Sequence, residues 1–235
     1  IICRMNKEEV AFQNRIIFEN DSFFAYIPYF TDYPYGVFIT AKNHKNYFTD
    51  FTDNEKNDLA QILKVVTGTF DRIFERPFPY MMCVHQNPVN SEKDFPTAKD
   101  SYHFHIEFYT PLRAKNLIKY YASSESGAWA AANTASVENT AKDVIKAKLN
   151  YCADKMPELF KTEFIKEYKK LYGTKNKNEI IVIASPARIN VIGEHVDNYG
   201  GNVFPASIDK YLYVAIRKRD DKKIIYDDIR FPGRY

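Results

Sequence analysis

The sequence has few cysteines and few glycines, and it lacks long apolar runs. Its 235 residues include 3 cysteines, 8 glycines and 11 prolines. Cys3, Cys83 and Cys152 are widely spaced and form no CxxC pair, so neither a disulfide framework nor a thiolate zinc site is predicted. A reducing cytoplasm is the expected setting. No apolar stretch approaches the roughly 20 residues that span a bilayer, so no membrane segment is expected.

The sequence also lacks an excess of either charge. Lys and Arg number 33 and Asp and Glu number 30, which gives a formal net charge of +3. Because both signs are spread along the chain, we expect neither a nucleic-acid partner nor a membrane surface. Hydrophobic residues make up 45% and aromatic residues 16%, a composition typical of folded globular proteins. The start, IICRMNKEEV, has no initiator methionine, so we expect the chain to begin inside a longer one.

The first part of the chain combines strand patterns with one long helical pattern. Two or three strands are predicted in RIIFEND, FFAYIPYF and YGVFITAKNH, and two more in YMMCVHQN and SYHFHIEFY. Between these groups a helix is predicted from Asp53 to Phe74. Thr52 and Glu55 form a capping box there, and apolar residues recur at helical spacing. Strands, a helix and further strands predict an α+β lobe.

Pattern and charge change near residue 154. Helices are predicted in VENTAKDVIKAKLNYCADK and PELFKTEFIKEYKKLYG, the second with Gly173 as its C-cap. The polar segment TKNKNE then precedes a strand, IIVIAS, and a loop is expected from Pro186 onward. We therefore expect two domains, residues 1–153 and residues 154–235.

Three of the five histidines fall in the two strands that follow the long helix. In YHFHIEF, strand alternation places His103, His105 and Glu107 on one face, and a neighbouring strand could present His85. Same-face positions lie roughly 6.5 to 7 Å apart, close enough for two imidazoles to bind one divalent metal. The alternative is a solvated face, or histidines bonded to the backbone. HxHxE with a third histidine favours a metal or substrate site.

Four ordered motifs within residues 9–148 resemble the C-terminal half of galactose-1-phosphate uridylyltransferase, a two-lobed member of the His-triad superfamily. They are FAYIPYFTDYPYGVFITAKNH, FTDNEKNDLAQILK, RPFPYMMCVHQNP and YHFHIEFYTPLR. The resemblance implies a His-triad-like antiparallel sheet with helices. It also implies a structural iron or zinc ion bound by His85, His103 and His105. UDP-glucose and galactose 1-phosphate are the implied substrates, and a homodimer is the implied assembly.

Residues after the PLR turn are implied by the same resemblance to bind the UDP-hexose. They are Lys119, Tyr120, Ser124 and Glu125. Ser124 and a later alanine depart from the tyrosine and glutamine of the family. Judged without the resemblance, Lys119 is an ordinary surface lysine. The family's nucleophile is a histidine of an HPHxQ motif, which does not occur in this sequence. We therefore expect this chain by itself to be an inactive supporting lobe.

A second cluster of polar residues lies in SPARINVIGEHVDNYGG, residues 185–201. Carboxylates and an imidazole on a glycine-containing loop suit the hydroxyls of a neutral polyol. The alternative is a buried ion-pair network that holds the loop in place. The string resembles the galactokinase signature, with an alanine in place of its first glycine. This resemblance implies that Glu194, His195 and Asp197 bind galactose and that Arg188 stabilises phosphoryl transfer.

The second resemblance implies the start of an α/β sugar-kinase domain. A complete kinase would use ATP and Mg²⁺, but the ATP loop and the catalytic base of that family have no counterpart in these residues. We interpret the chain as the end of a uridylyltransferase joined to the beginning of a galactokinase, two neighbouring activities of galactose catabolism. The alternative is a non-catalytic galactose-binding or scaffold protein built from the same two pieces.

Overall fold

The computed structural model describes residues 2–89, 93–133, 135–173, 180–192, 204–217, 219, 221, 223, 225, 227–228 and 231–234. The chain divides into two compact units, Ile1–Lys155 and Met156–Tyr235. The predicted domain assignments, a uridylyltransferase lobe at residues 1–153 and a galactokinase segment at residues 154–235, stay predictions.

A five-stranded sheet forms the centre of the first unit. Its strands are β1 (Ile16–Glu19), β2 (Phe23–Tyr26), β3 (Val37–Ala41), β4 (Met81–His85) and β5 (His105–Tyr109). The order across the sheet is β1, β2, β3, β5, β4, and every neighbouring pair is antiparallel. The predicted α+β class with an antiparallel sheet is confirmed. Two short strands, β6 (Leu112–Ala114) and β7 (Leu117–Ile118), pair separately from this sheet.

The helices of the first unit differ widely in length. They are α1 (Ile2–Phe12), α2 (Asp53–Ile73), α3 (Ala98–Ser101), α4 (Ser124–Ala128) and α5 (Val137–Lys155). Helix α1 was not predicted from the sequence, and its buried residues are the polar Asn6 and Glu9. None of the described helices is both long enough and apolar enough to cross a membrane.

Helix α2 follows its prediction closely. The Thr52 side chain accepts a hydrogen bond from the backbone N–H of Glu55, and the Glu55 carboxylate accepts one from the backbone N–H of Thr52. This reciprocal box satisfies two donors that would otherwise lack partners at the helix start. The buried residues of α2 include Leu59, Ile62 and Phe70, which the helical spacing predicts. α2 packs on α5 and on strands β1 and β2.

Gly68 allows α2 and α5 to approach closely. A Cβ atom at this position would lie 2.2 Å from the ring of Tyr151 on α5. That distance is far inside van der Waals contact, so the ring occupies the space that any side chain would need. The two helices therefore depend on a residue without a side chain at their crossing.

The described part of the second unit includes a helix and a long antiparallel pair of strands. Its described elements are α6 (Pro157–Tyr172), β8 (Ile181–Ile192), β9 (Phe204–Ile216), β10 (Asp227–Asp228) and β11 (Phe231–Arg234). α6 ends as predicted at Gly173, whose φ is 71° and whose N–H donates to the carbonyl of Lys169. The rings of Phe160 on α6 and Tyr213 on β9 lie 4.2 Å apart between centroids.

Strand β8 is longer than predicted. The expected loop from Pro186 onward is wrong for residues 186–192, because the strand continues to Ile192 and places Arg188 opposite Ser207. The register shifts between Pro186 and Arg188. Such an irregularity accommodates a proline, which has no N–H to donate to the ladder. The start of a sugar-kinase domain stays a prediction.

The helix crossing leads to a test of stability. Gly68→Ala should lower the free energy of unfolding by about 1 to 3 kcal/mol, because the new methyl group would collide with the Tyr151 ring. This cost outweighs the gain of roughly 1 kcal/mol in helix propensity. Urea denaturation followed by circular dichroism measures the change. Gly127→Ala is the matched control, since a Cβ atom there meets nothing within 4 Å. A Gly68→Ala variant as stable as the wild type would contradict this packing.

Candidate functional site

The pairing of β4 with β5 brings two histidines and a carboxylate together. His85 lies opposite His105 in the ladder, and their rings stack with 4.7 Å between centroids and 6° between planes. His105 Nε2 lies 3.1 Å from Glu107 Oε1, and His85 Nε2 lies 3.9 Å from Glu107 Oε2. We call these three residues the β4–β5 cluster. One ligand atom from each lies within 4.8 Å of the others.

The electrostatics of the β4–β5 cluster favour an ionised carboxylate. Burial raises the pKa of Glu107, but hydrogen bonds from His105 and Tyr109 and the charge of His85 outweigh it, so the net pKa is lowered. Nε2 of His85 is shielded from solvent and has no hydrogen-bond partner among the described residues. A shielded imidazole nitrogen beside a carboxylate is suited to a metal ligand.

A second cluster joins the start of the chain to the loop after β3. Cys3 Sγ lies 3.3 Å from His44 Nδ1 and 3.1 Å from His103 Nδ1. We call Cys3, His44 and His103 the N-terminal cluster, whose ligand atoms also lie within 4.8 Å of one another. His103 Nε2 lies 2.8 Å from the carbonyl oxygen of Ala41. A proton on Nε2 would satisfy that bond and leave the lone pair of Nδ1 directed at the thiol.

Burial is the largest influence on His103, and it lowers the pKa of the imidazole. A neutral ring is the form that binds metal ions. One thiol and two imidazoles are a donor set that zinc favours. The lowered pKa of His103 favours the form that binds a metal ion, and the N-terminal cluster has the ligand types of a metal site.

The predicted histidine trio is divided between the two clusters. The sequence predicts a strand through Ser101 and His103, but α3 ends at Ser101 and β5 begins only at His105. Strand alternation therefore does not reach His103, whose carbonyl oxygen lies 2.7 Å from His105 Nδ1. Binding of all three histidines to one ion stays a prediction. Cys3 and His44 were not predicted as site residues, because they are 41 positions apart in the sequence and form no local motif.

Lys119 and Glu125, both predicted to bind the UDP-hexose, form an ion pair. Lys119 Nζ lies 2.8 Å from Glu125 Oε1, and the two side chains are only 8% and 7% exposed. The ammonium also donates to the carbonyl of Asp32 at 2.5 Å. It lies 5.7 Å from the ring centroid of Tyr33 and 5.3 Å from that of Tyr121. Lys119 is thus held by several partners and is not a solvated surface lysine.

The other two predicted UDP-hexose residues are open to solvent. Tyr120 is 74% exposed, and Ser124 is an exposed residue at the first position of α4. The hydrogen bond from Lys119, together with the backbone N–H of Ala132, lowers the pKa of Glu125. The lowered pKa favours an ionised Glu125, which directly follows the exposed Ser124 in the chain.

The predicted galactose residues are described only in part. Arg188 lies on β8. Glu194, His195 and Asp197 lie outside the described residues. Their assignment to galactose stays a prediction.

Two family models match the chain. Residues 2–125 match the model for the galactose-1-phosphate uridyl transferase C-terminal domain. Residues 166–218 match the galactokinase galactose-binding signature. Galactose-1-phosphate uridylyltransferase of Thermotoga maritima is 36% identical over 143 residues, which cover 61% of this chain and 43% of that relative. The enzyme of the same name from Saccharomyces cerevisiae is 35% identical over 120 residues, covering 51% of this chain and 32% of the relative.

Two solved structures resemble a large part of this chain. A uridylyltransferase mutant has a TM-score of 0.56 at 31% identity, over 64% of this chain and 47% of the other. An ADP-glucose phosphorylase from Arabidopsis thaliana, solved with bound ADP-glucose, has a TM-score of 0.51 at 21% identity, over 61% of this chain and 43% of the other. The second likeness concerns the fold alone. These structures confirm the expected uridylyltransferase-like sheet.

The matches show the family of this chain, although the chain covers only part of the length of the relatives. The chain spans less than half of the Thermotoga maritima and Saccharomyces cerevisiae relatives. The first family match covers more than half of the 235 residues and includes the β4–β5 cluster, the N-terminal cluster and the Lys119–Glu125 pair. The chain therefore belongs to the galactose-1-phosphate uridyl transferase family, through its C-terminal domain.

Proposed function

We propose that this chain serves as the C-terminal lobe of a hexose-1-phosphate uridylyltransferase acting on UDP-glucose and galactose 1-phosphate. The family match over residues 2–125 is the observation that carries the proposal. The Lys119–Glu125 pair supports it, because a carboxylate held in place by an ammonium and by backbone N–H groups is ready to accept hydrogen bonds from sugar hydroxyls. The proposed binding residues are Lys119, Tyr120, Ser124 and Glu125.

The covalent step requires a group that these residues do not supply. The family's uridylyl-histidine forms on an HPHxQ histidine, and the sequence contains no such motif. His103 and His105 contact the backbone and their cluster partners, so we assign neither as a nucleophile. For the chain by itself we expect substrate binding without uridylyl transfer.

A second proposed function is galactose binding in the second unit. The match of residues 166–218 to the galactokinase signature favours it. We propose that Glu194, His195 and Asp197 bind the hydroxyl groups of galactose. Arg188 would stabilise charge at the sugar oxygen that accepts the phosphoryl group. ATP and Mg²⁺ would serve only a complete kinase. A chain with galactose binding alone would be the non-catalytic binding or scaffold protein of the alternative interpretation.

We also propose a structural role for iron or zinc in this lobe. The shielded Nε2 of His85 supports binding at the β4–β5 cluster. The contact of His103 with the Ala41 carbonyl, which leaves Nδ1 directed at Cys3, supports binding at the N-terminal cluster. Bound metal would supply cross-links between elements and no reacting group. Ligands at the first cluster would connect β4 to β5, and ligands at the second would connect α1 to the sheet.

Calorimetric titration of the full chain with UDP-glucose tests the uridylyltransferase proposal. We expect saturable binding that Glu125→Gln weakens about 10- to 100-fold, because a hydrogen bond to a charged group contributes about 1.5 to 3 kcal/mol. Glu8→Gln is the matched control, since Glu8 is an exposed residue of α1 paired with Arg4. Binding of galactose without binding of UDP-glucose would contradict the proposal and favour the alternative.

Metal analysis by mass spectrometry tests the two clusters separately. We expect Cys3→Ser and His103→Ala each to lose about one equivalent, and the double variant to lose no more, because both residues bind the same ion. His85→Ala should lose a different equivalent, so that its loss adds to that of His103→Ala. His195→Ala, outside both clusters, is the control.

Two results would overturn parts of this assignment. Unchanged metal content in His103→Ala would remove that residue as a ligand. Loss of one shared equivalent in His85→Ala and His103→Ala would instead support the single trio that the sequence predicts.

Thermal denaturation tests galactose binding. At a galactose concentration 100-fold above Kd, binding should raise Tm by roughly 5 to 10 °C. Asp197→Ala should abolish this rise, whereas Asp221→Ala, at an exposed position of the same unit, should keep it. Equal shifts in both variants would remove Asp197 from the site.

A further inference from the structure

The single tryptophan of the chain is almost fully exposed. Trp129 is the only tryptophan among 235 residues, and it is 93% exposed. It directly follows α4 and has a φ of 52° in the left-handed region, which costs energy for a residue with a side chain. Its backbone N–H donates to the carbonyl of Ser124. A large apolar side chain is thus presented to solvent on a constrained backbone.

Trp129 lines a cavity beside the proposed UDP-hexose residues. The cavity has a volume of about 400 Å³ and is lined by Tyr121, Glu125, Ser126, Trp129 and Ala131. Small-molecule sites in proteins usually measure about 300 to 1,000 Å³ and combine apolar walls with a few polar groups. The volume and the lining both match that description.

Two residues that line this cavity, Tyr121 and Glu125, are held in place without a ligand. The Tyr121 hydroxyl donates to the hydroxyl of Tyr33 at 2.7 Å. Glu125 Oε1 accepts from Lys119 at 2.8 Å and from the backbone N–H of Ala132 at 3.2 Å. A ligand therefore meets groups that are already ordered, which reduces the entropy lost on binding.

The charges at the cavity favour a neutral, hydroxyl-bearing ligand. None of the lining residues is a cation, and the nearby ammonium of Lys119 is engaged by Glu125 and by the Asp32 carbonyl. An ionised carboxylate repels phosphate but accepts hydrogen bonds from hydroxyl groups. Aromatic side chains provide flat apolar surface for the C–H face of a sugar ring. A hexose ring combines these two kinds of surface.

We propose that Trp129 is a sugar-binding residue, whose indole packs against the apolar face of a hexose ring while Glu125 accepts hydrogen bonds from the ring's hydroxyls. The inference rests on the proposed uridylyltransferase function and extends it. It assigns this cavity to the hexose of UDP-glucose or galactose 1-phosphate, and not to the uracil base or the phosphate groups. Trp129 then contributes affinity and shape selection, without a role in bond making.

Intrinsic fluorescence of the full chain tests this assignment directly, because all tryptophan emission comes from Trp129. Covering an exposed indole should shift its emission to shorter wavelength. We expect a saturable shift with UDP-glucose and with galactose 1-phosphate, and none with uridine monophosphate or inorganic phosphate. Calorimetry should show at least about tenfold weaker UDP-glucose binding in Trp129→Ala, and near-wild-type binding in Trp129→Tyr. Phe12→Ala, at an aromatic side chain 65% exposed on α1, is the matched control.

The two readouts separate this inference from the function on which it rests. Calorimetric binding of UDP-glucose with unchanged emission would overturn the role of Trp129 and leave the uridylyltransferase proposal standing. An equal shift with uridine monophosphate would assign the cavity to the base and overturn the hexose assignment. Absence of binding to both sugar phosphates would overturn both proposals.

Discussion

The antiparallel ladder of β5 with β3 and β4 is the constraint on which the first unit depends. In this ladder His105 pairs with Thr40 on one side and with His85 on the other. A shift of one residue in the β4–β5 pairing would turn His105 and Glu107 to the face opposite that of His85. Register thus determines which groups meet at the β4–β5 cluster. Backbone hydrogen bonds that stabilise the sheet also define its chemistry.

Burial around the ladder sets the state of the polar groups. The pKa of His103 is lowered by burial, whereas hydrogen bonds keep the pKa of Glu107 low despite burial. The result is a neutral imidazole in one cluster and an ionised carboxylate in the other. The Lys119–Glu125 pair follows the same principle, since each charge removes the cost of leaving the other unpaired in a shielded position. These groups are ordered before any ligand arrives.

The two units contribute different kinds of support to the functional proposals. In the first unit, interatomic distances and burial support the proposals in addition to the family match. The proposed metal-binding and sugar-binding residues can therefore be tested one by one. In the second, Arg188 lies on β8, which pairs with β9, and the galactose proposal depends on the signature match over residues 166–218. The two proposals meet at galactose 1-phosphate, the proposed substrate of the uridylyltransferase and the compound that a complete kinase would form from galactose.

The sequence by itself determined the elements whose causes are local. The capping box and apolar spacing predicted α2, and short segments rich in apolar and aromatic residues, bounded by turn residues, predicted the strands of the sheet. It also carried the motifs that indicated the family. Tertiary structure decided what local pattern could not: α3 displaced His103 from the predicted strand, and β9 extended β8 beyond Pro186. Only the tertiary structure identified Cys3, His44 and Trp129 as site residues. Contacts between distant segments and the exposure of a side chain depend on the packing of the whole unit, which local sequence does not show.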